Sequence, residues 1–319
     1  MQGNAVTDLS QGNRHIGRSR EHAASPARRS WLQAACDRYF ATIMSLPTAA
    51  VMLIVFGLPL LFSFCLSFLG WTASKSIFGG TFAGLDNYQE IFTDPVFIQS
   101  LIITLIYTAA SVTLEMALGL AVALLMNIDV PLVGLFRALM IIPMTVTPIV
   151  AALCWKLLLD PEYGLVDFLL GQKIVWIGDP FWAPFAVGLV NVWQNVPYVA
   201  ILLLAGLRSL PTEPRDAAAI DGASRLQVFR HITLPLLSPV IGVALLLRVI
   251  FEFRAFDNVY VMTGGGPAGA TNLLSLYTYT TTFVQFDFTL GAAASWVMLF
   301  ICLLLCVALV RLTYWSKAA

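Results

Sequence analysis

Six stretches of this sequence are apolar for long enough to cross a lipid bilayer: roughly 44–69, 98–126, 133–158, 183–207, 235–257 and 290–312. A bilayer's hydrocarbon core takes about 20 apolar residues per helix. A chain of 319 residues that is 59% hydrophobic and 11% charged cannot hide so much apolar surface in water. An all-α membrane protein with six transmembrane helices is the fold these numbers imply. Pro47, Pro59, Pro143, Pro148 and Pro197 fall inside the windows. Such breaks are tolerated where neighbouring helices or a cavity satisfy the freed backbone, so they point to a packed bundle with a pathway.

Residues 1–41 form a polar, Arg-rich tail that is expected to be largely disordered, ahead of a membrane domain over 42–319. The tail does not read as a secretory signal, because the apolar run behind it is too long and five more follow. Its Gly12-Asn13-Arg14-His15-Ile16-Gly17-Arg18-Ser19 comes close to a phosphate-binding loop, with Arg where Lys belongs. That loop needs a strand before it and a helix after it, and the sequence predicts neither. The match is coincidence, and a nucleotide must bind on another chain. Cys36, Cys65, Cys154, Cys302 and Cys306 lie in the tail or in apolar stretches, with no spacing for a disulfide framework or a metal site.

Net charge is zero, but its distribution orients the chain. Arg14, Arg18, Arg20, Arg28, Arg29 and Arg38 of the tail, Arg137, Arg311 and Lys317 fall on one side of a six-span chain. So do Arg208, Arg215, Arg225 and Arg230 of the loop between the fourth and fifth windows. The opposite loops hold only Lys75 and Lys173. By the positive-inside bias, both termini and the 208–234 loop are cytoplasmic.

That loop is the most ordered polar sequence in the chain. Pro211 and Pro214 suit a helix start before Asp216-Ala217-Ala218-Ala219. Gly222 permits a turn or a close backbone approach. Leu226, Phe229 and Ile232 recur every three residues, giving one apolar stripe on a second short helix. Such an element could lie on lipid headgroups. Lipid binding, however, imposes no fixed order, and this loop has one: Asp216-Ala217-Ala218, three residues, Gly222, nine residues, Ile232-x-Leu234-Pro235. It resembles the E-A-A-x3-G-x9-I-x-L-P coupling motif of permease subunits in binding-protein-dependent ABC importers, with Asp216 for the leading Glu. The Ile220-Asp221-Gly222-Ala223 core and the Ile232-Thr233-Leu234-Pro235 ending look like the sugar-permease branch that includes the maltose system. The resemblance runs from about residue 45 to 315. It implies a type I importer transmembrane domain, multi-pass in the bacterial cytoplasmic (inner) membrane. It also implies that Asp216, Ala217, Ala218, Gly222, Leu226 and Phe229 seat in a groove of an ABC ATPase subunit.

In the fourth window Asn191, Gln194, Asn195 and Tyr198 sit at i, i+3, i+4 and i+7, on one helical face. Polar side chains in hydrocarbon are costly unless they face the bundle interior. They either bond helices together or face a cargo, and amides can both donate to and accept from hydroxyl groups. The family resemblance places Asn191, Trp193 and Tyr198 in the sugar site, with Asn195 where the maltose permease has a small residue. After the fifth window, Asn258 matches a sugar-contacting asparagine of the family and Asp257 neighbours it. Arg248 and Glu252, one turn apart, read as a neutralising pair. Glu115, in the middle of the second window, reads as a bundle-facing hydrogen bonder. The small residues Gly291 to Ser295 suit close helix packing, against a second permease chain for example.

The expected function is therefore the membrane-spanning subunit of an ATP-driven importer of a sugar-like, polyhydroxylated cargo. Its partners would be ABC ATPase subunits, a second permease in a heterodimer, an extracytoplasmic solute-binding protein and membrane lipid, with no nucleic acid. The chain itself would be no enzyme and bind no cofactor or metal, with ATP and Mg on the ATPase. The alternative is an ion- or proton-coupled secondary transporter, which predicts paired intramembrane acids and internal repeats; neither is evident in the sequence.

Overall fold

The computed structural model describes residues 31–71, 80–128 and 133–315. Most of the Arg-rich tail, including Gly12–Ser19, lies outside the described residues, as do Lys75, the loop 129–132 and Lys317. The chain divides into two compact units, Met1–Pro59 and Leu60–Ala319. In the first, α1 (Trp31–Met52) begins inside the segment expected to be disordered. Leu32-Gln33-Ala34-Ala35 are strong helix formers, and they carry the helix back into the tail. A π-helical turn, Leu53–Gly57, then leads to α2 (Leu58–Leu66). Met44, Leu46 and Ile54 are exposed along α1 and the turn, as lipid-facing side chains would be.

The second unit carries a two-residue hairpin, β1 (Leu69–Gly70) and β2 (Thr81–Phe82), antiparallel with Leu69 opposite Phe82. α3 (Asp86–Thr93) and α4 (Pro95–Met126) follow. The start of α4 is set by Asp94, whose carboxylate accepts from Val96 N at 2.9 Å, and by Pro95 in the first turn. Then come α5 (Val133–Thr145), α6 (Pro148–Leu158), α7 (Leu165–Leu170) and α8 (Trp182–Ser209). The cytoplasmic loop forms α9 (Glu213–Ile220) and α10 (Arg225–Val228). A π-helical turn, Phe229–Thr233, joins α10 to α11 (Leu234–Phe253). α12 (Asp257–Met262), α13 (Leu274–Tyr279) and α14 (Phe288–Trp315) complete the described chain.

Among the described residues, five helical runs are long and apolar enough to cross a membrane. A sixth span is a bent pair, Gly134–Thr145 and Pro148–Leu158, meeting at 99°. The third window, 133–158, is therefore no straight helix. Pro148 pushes Thr147 into extended backbone, with ψ 143°, and so ends the run before it. The freed Val146 carbonyl accepts from Gln194 Nε2 at 2.7 Å, so the bend carries no orphan there. The fifth window also stops early. α11 ends at Phe253, and Asp257 and Asn258 open a separate short helix rather than closing the long one.

α8 is the central helix of this unit, packed against α4, α5, α6, α11 and α12. Lipid tails are as apolar as leucine, so helix association in a bilayer comes from close packing rather than from escape from water. Gly119 shows how close that packing is: a Cβ there would lie 2.5 Å from Val199 Cγ1 of α8. Toward the cytoplasmic end, Met126, Leu203, Leu207 and Leu237 form one buried cluster joining α4, α8 and α11. At the other end, Phe97, Phe253, Leu274 and Val297 join α4, α11, α13 and α14.

Candidate translocation cavity and cytoplasmic loop

Between α8, α11, α12 and the bend after α5 lies a cavity of about 490 Å³, lined by Asn191, Gln194, Asn195, Tyr198, Asp257 and Asn258, among others. The fold thus brings together five of the six residues expected at the cargo site, drawn from two helices more than fifty residues apart in sequence. Trp193 is not among them. It lies roughly 200° round the helix from Asn191, and its ring meets Trp155 edge-on at 5.6 Å on an exposed face.

One wall of the cavity is a largely buried ionic cluster, from which Arg248 and Glu252 line the space alongside Asn191 and Asn195. Arg248 of α11 donates from Nε to Glu115 Oε2 at 2.7 Å and from Nη2 to Glu115 Oε1 at 3.0 Å, a bidentate pair across to α4. The same guanidinium reaches Glu252, one turn along α11, and donates from Nη1 to Asn195 Oδ1 at 3.0 Å. Asn191 Nδ2 donates to Glu252 and, at 3.4 Å, to Glu115 Oε1. Asn195 Nδ2 closes the cluster onto Asn191 Oδ1 at 3.0 Å. Glu115 is 0%, Glu252 2% and Arg248 4% exposed, so two carboxyl groups and a guanidinium are held together inside the membrane domain. The expected Arg248–Glu252 pair is present, but Glu115 is its third member. The paired intramembrane acids that the sequence did not reveal exist in three dimensions, with a cation between them.

This arrangement decides which groups face the cavity unspent. Both amides of Asn191 and Asn195 are occupied by the cluster. Asn258 differs: its Oδ1 is buried with no hydrogen-bond partner among the described residues. A buried acceptor left unmet is unfavourable by about 1–3 kcal/mol. Asn258 lines the cavity, with Oδ1 itself just under the surface.

On the cytoplasmic side the loop folds as its sequence predicts, into two short helices around Gly222 at φ +78°. Ser224 caps α10: its backbone N–H donates to Gln227 Oε1 at 2.7 Å and its hydroxyl accepts from Gln227 N at 3.4 Å. That capping box is legible as Ser-x-x-Gln, and the reading of the loop's apolar stripe passed over it. Asp216 and Ala217 are exposed, Ala218 and Phe229 half-buried. Ile220 and Leu226 are 87% and 73% exposed, on an otherwise polar segment. Apolar side chains turned outward in a loop of fixed order fit a docking surface.

A profile of the binding-protein-dependent transport system inner membrane component family matches residues 115–318, from Glu115 of the ionic cluster through the cytoplasmic loop. The chain belongs to this family. It is a multi-pass permease of the inner membrane, a non-catalytic component of an ABC transport system that works with a solute-binding protein. A probable ABC transporter permease of Sinorhizobium fredii is 40% identical over 257 residues, covering 79% of this chain and 83% of that one. The trehalose/maltose transport system permease of Thermococcus litoralis is 38% identical over 260 residues, 79% of this chain and 86% of that one. Among solved structures, a bacterial ABC transporter involved in import of the acidic polysaccharide alginate superposes with TM-score 0.76 at 21% identity. That match covers 89% of this permease and 98% of that chain, and it shows the shared fold.

Proposed function

We propose that this permease passes a sugar or related polyhydroxylated solute inward, driven by partner ATPases that engage the loop 208–234. The observation that carries this reading is the unbroken helical run from Arg225 to Phe253. It joins the cytoplasmic loop to the wall of the cavity, and Arg225 and Arg248 lie about 35 Å apart along it at ~1.5 Å per residue. A push on the loop reaches the cavity through a rod rather than a flexible linker. Energy is transferred only if the two states differ in contacts at both ends. ATP and Mg bind the ATPase, whose groove takes Leu226 and Phe229 while a basic group there meets the exposed Asp216. The solute-binding protein delivers cargo from outside, and a second, different permease completes the pathway. The relatives' cargo, trehalose or maltose, agrees with a cavity of amide, phenol and carboxylate groups suited to hydroxyl partners.

Affinity purification of the tagged chain from native membranes in mild detergent tests this reading. An ATPase, a second permease and a solute-binding protein are expected among the retained proteins by mass spectrometry. Recovery of the chain without an ATPase in several detergents would sink it. Within the cavity, Asn258→Leu separates cargo recognition from folding. It removes an unmet acceptor, so membrane levels should hold or rise. Uptake should fall by about 5–150-fold, the equivalent of leaving a buried cargo donor unmet at ~1–3 kcal/mol. Unchanged uptake would remove Asn258 from the site.

A further inference from the structure

The bend pair and the central helix are joined on the outer side by residues 159–181, which contain α7. These six residues lie outside every span, yet their accessible side chains are as apolar as those of the spans. Phe168 is 81% and Leu169 73% exposed, and Leu165 and Leu170 are both more than half exposed. The one charged residue of α7, Asp167, is turned inward. Its carboxylate accepts from Trp176 Nε1 at 2.6 Å and from Ile174 N at 2.8 Å, so it is fully occupied inside the fold. Trp176 in turn packs on Trp182 at 5.1 Å and stacks on Phe185 of α8, at the first turn of that span.

We propose that α7 lies in the outer leaflet of the bilayer, with Phe168, Leu169 and Leu170 dipped below the headgroups. Three features favour lipid over a protein partner. The exposed face carries no polar group to specify a partner, since its only carboxylate is withdrawn. It is also tied, through the Asp167–Trp176 bond and the stacking of Trp176 on Phe185, to the start of α8, where Phe181 and Phe185 are exposed, and Leu157 at the end of α6 is exposed likewise. Finally, the segment is anchored by tryptophan and phenylalanine where the spans end, the depth at which amphipathic aromatic rings settle. The exposed Lys173–Glu162 pair, at 3.8 Å, marks the watery side of the same loop. A helix held this way fixes the outer ends of α6 and α8 at one depth while the cavity on the inner face of α8 changes shape.

The test uses the full chain, purified with its co-purifying subunits after replacement of its cysteines and reconstituted in phospholipid nanodiscs. Spin labels are placed at Phe168→Cys and, separately, Leu169→Cys. Ile106→Cys within α4 gives the lipid-facing reference and Lys173→Cys the water-facing one. Collision with oxygen and with a water-soluble nickel chelate is measured at each. Labels at 168 and 169 should match the Ile106 position, with nickel accessibility several-fold below that at 173. Nickel accessibility equal to that at 173 would overturn the proposal. So would protection of 168 and 169 that arises only when the soluble solute-binding protein is added, which would make α7 a receptor-docking surface instead.

Discussion

Replacing Arg248 with methionine should remove most of the folded permease from the membrane. The guanidinium holds Glu115 with two hydrogen bonds and reaches Glu252 and Asn195 as well, with all its charged partners at most a few per cent exposed. Its loss leaves two buried carboxyl groups without the cation they share. Breaking a buried ion pair from one side destabilises by about 3–5 kcal/mol, a large share of a typical domain stability of ~5–15 kcal/mol. The effect should appear as a lower midpoint of thermal unfolding in detergent and a lower amount in the membrane. Arg248→Lys should fall between, because an ammonium cannot reproduce the bidentate fork. Combining Arg248→Met with Glu115→Gln and Glu252→Gln removes all three ionisable groups and should restore much of the folded protein. A single Arg248→Met variant with wild-type stability would show that the cluster does not hold α4 against α11.

That cluster also shows where the sequence stops being informative. The pairing of Arg248 with Glu252 is one helical turn and can be read from spacing. The pairing with Glu115 spans 133 residues and no local pattern encodes it. Only the packing of α4 on α8 and α11 brings the two together, and Gly119 contributes by letting α4 and α8 approach. The spans were legible because length and apolarity are properties of a short window. The bend after α5 is signalled by Pro143 and Pro148, but Gln194, which takes up the Val146 carbonyl there, lies 48 residues away in sequence. Trp193, which does not line the cavity, shows a different limit. Residues carried over as one contiguous stretch do not share a helix face, and counting 3.6 residues per turn separates Trp193 from Asn191, Asn195 and Tyr198. The cytoplasmic loop, by contrast, is largely legible, since its prolines and glycine act on their immediate neighbours.

Gly222→Trp should abolish uptake while the chain still reaches the membrane in near-normal amounts. The backbone at Gly222 has φ +78°, where an ordinary side chain costs roughly 1–2 kcal/mol. Among the described residues other than its two chain neighbours, however, no heavy atom lies within 4 Å of a Cβ built at that position. The fold can therefore carry a bulky residue there, and the damage must arise where another protein sits. Gly222→Asn separates the two requirements, because asparagine tolerates positive φ better than other side chains yet adds bulk. If uptake survives Asn but not Trp, the loop needs its turn and the docked surface leaves room for a small side chain. If Asn is as damaging as Trp, the partner's backbone approaches closely at Gly222 itself. Leu226→Asp, on the 73% exposed side chain of α10, should give the same uncoupled phenotype by placing a charge in an apolar seat. Normal uptake by the Gly222→Trp permease would mean that this loop does not transmit the power stroke, however closely its spacing follows the coupling pattern.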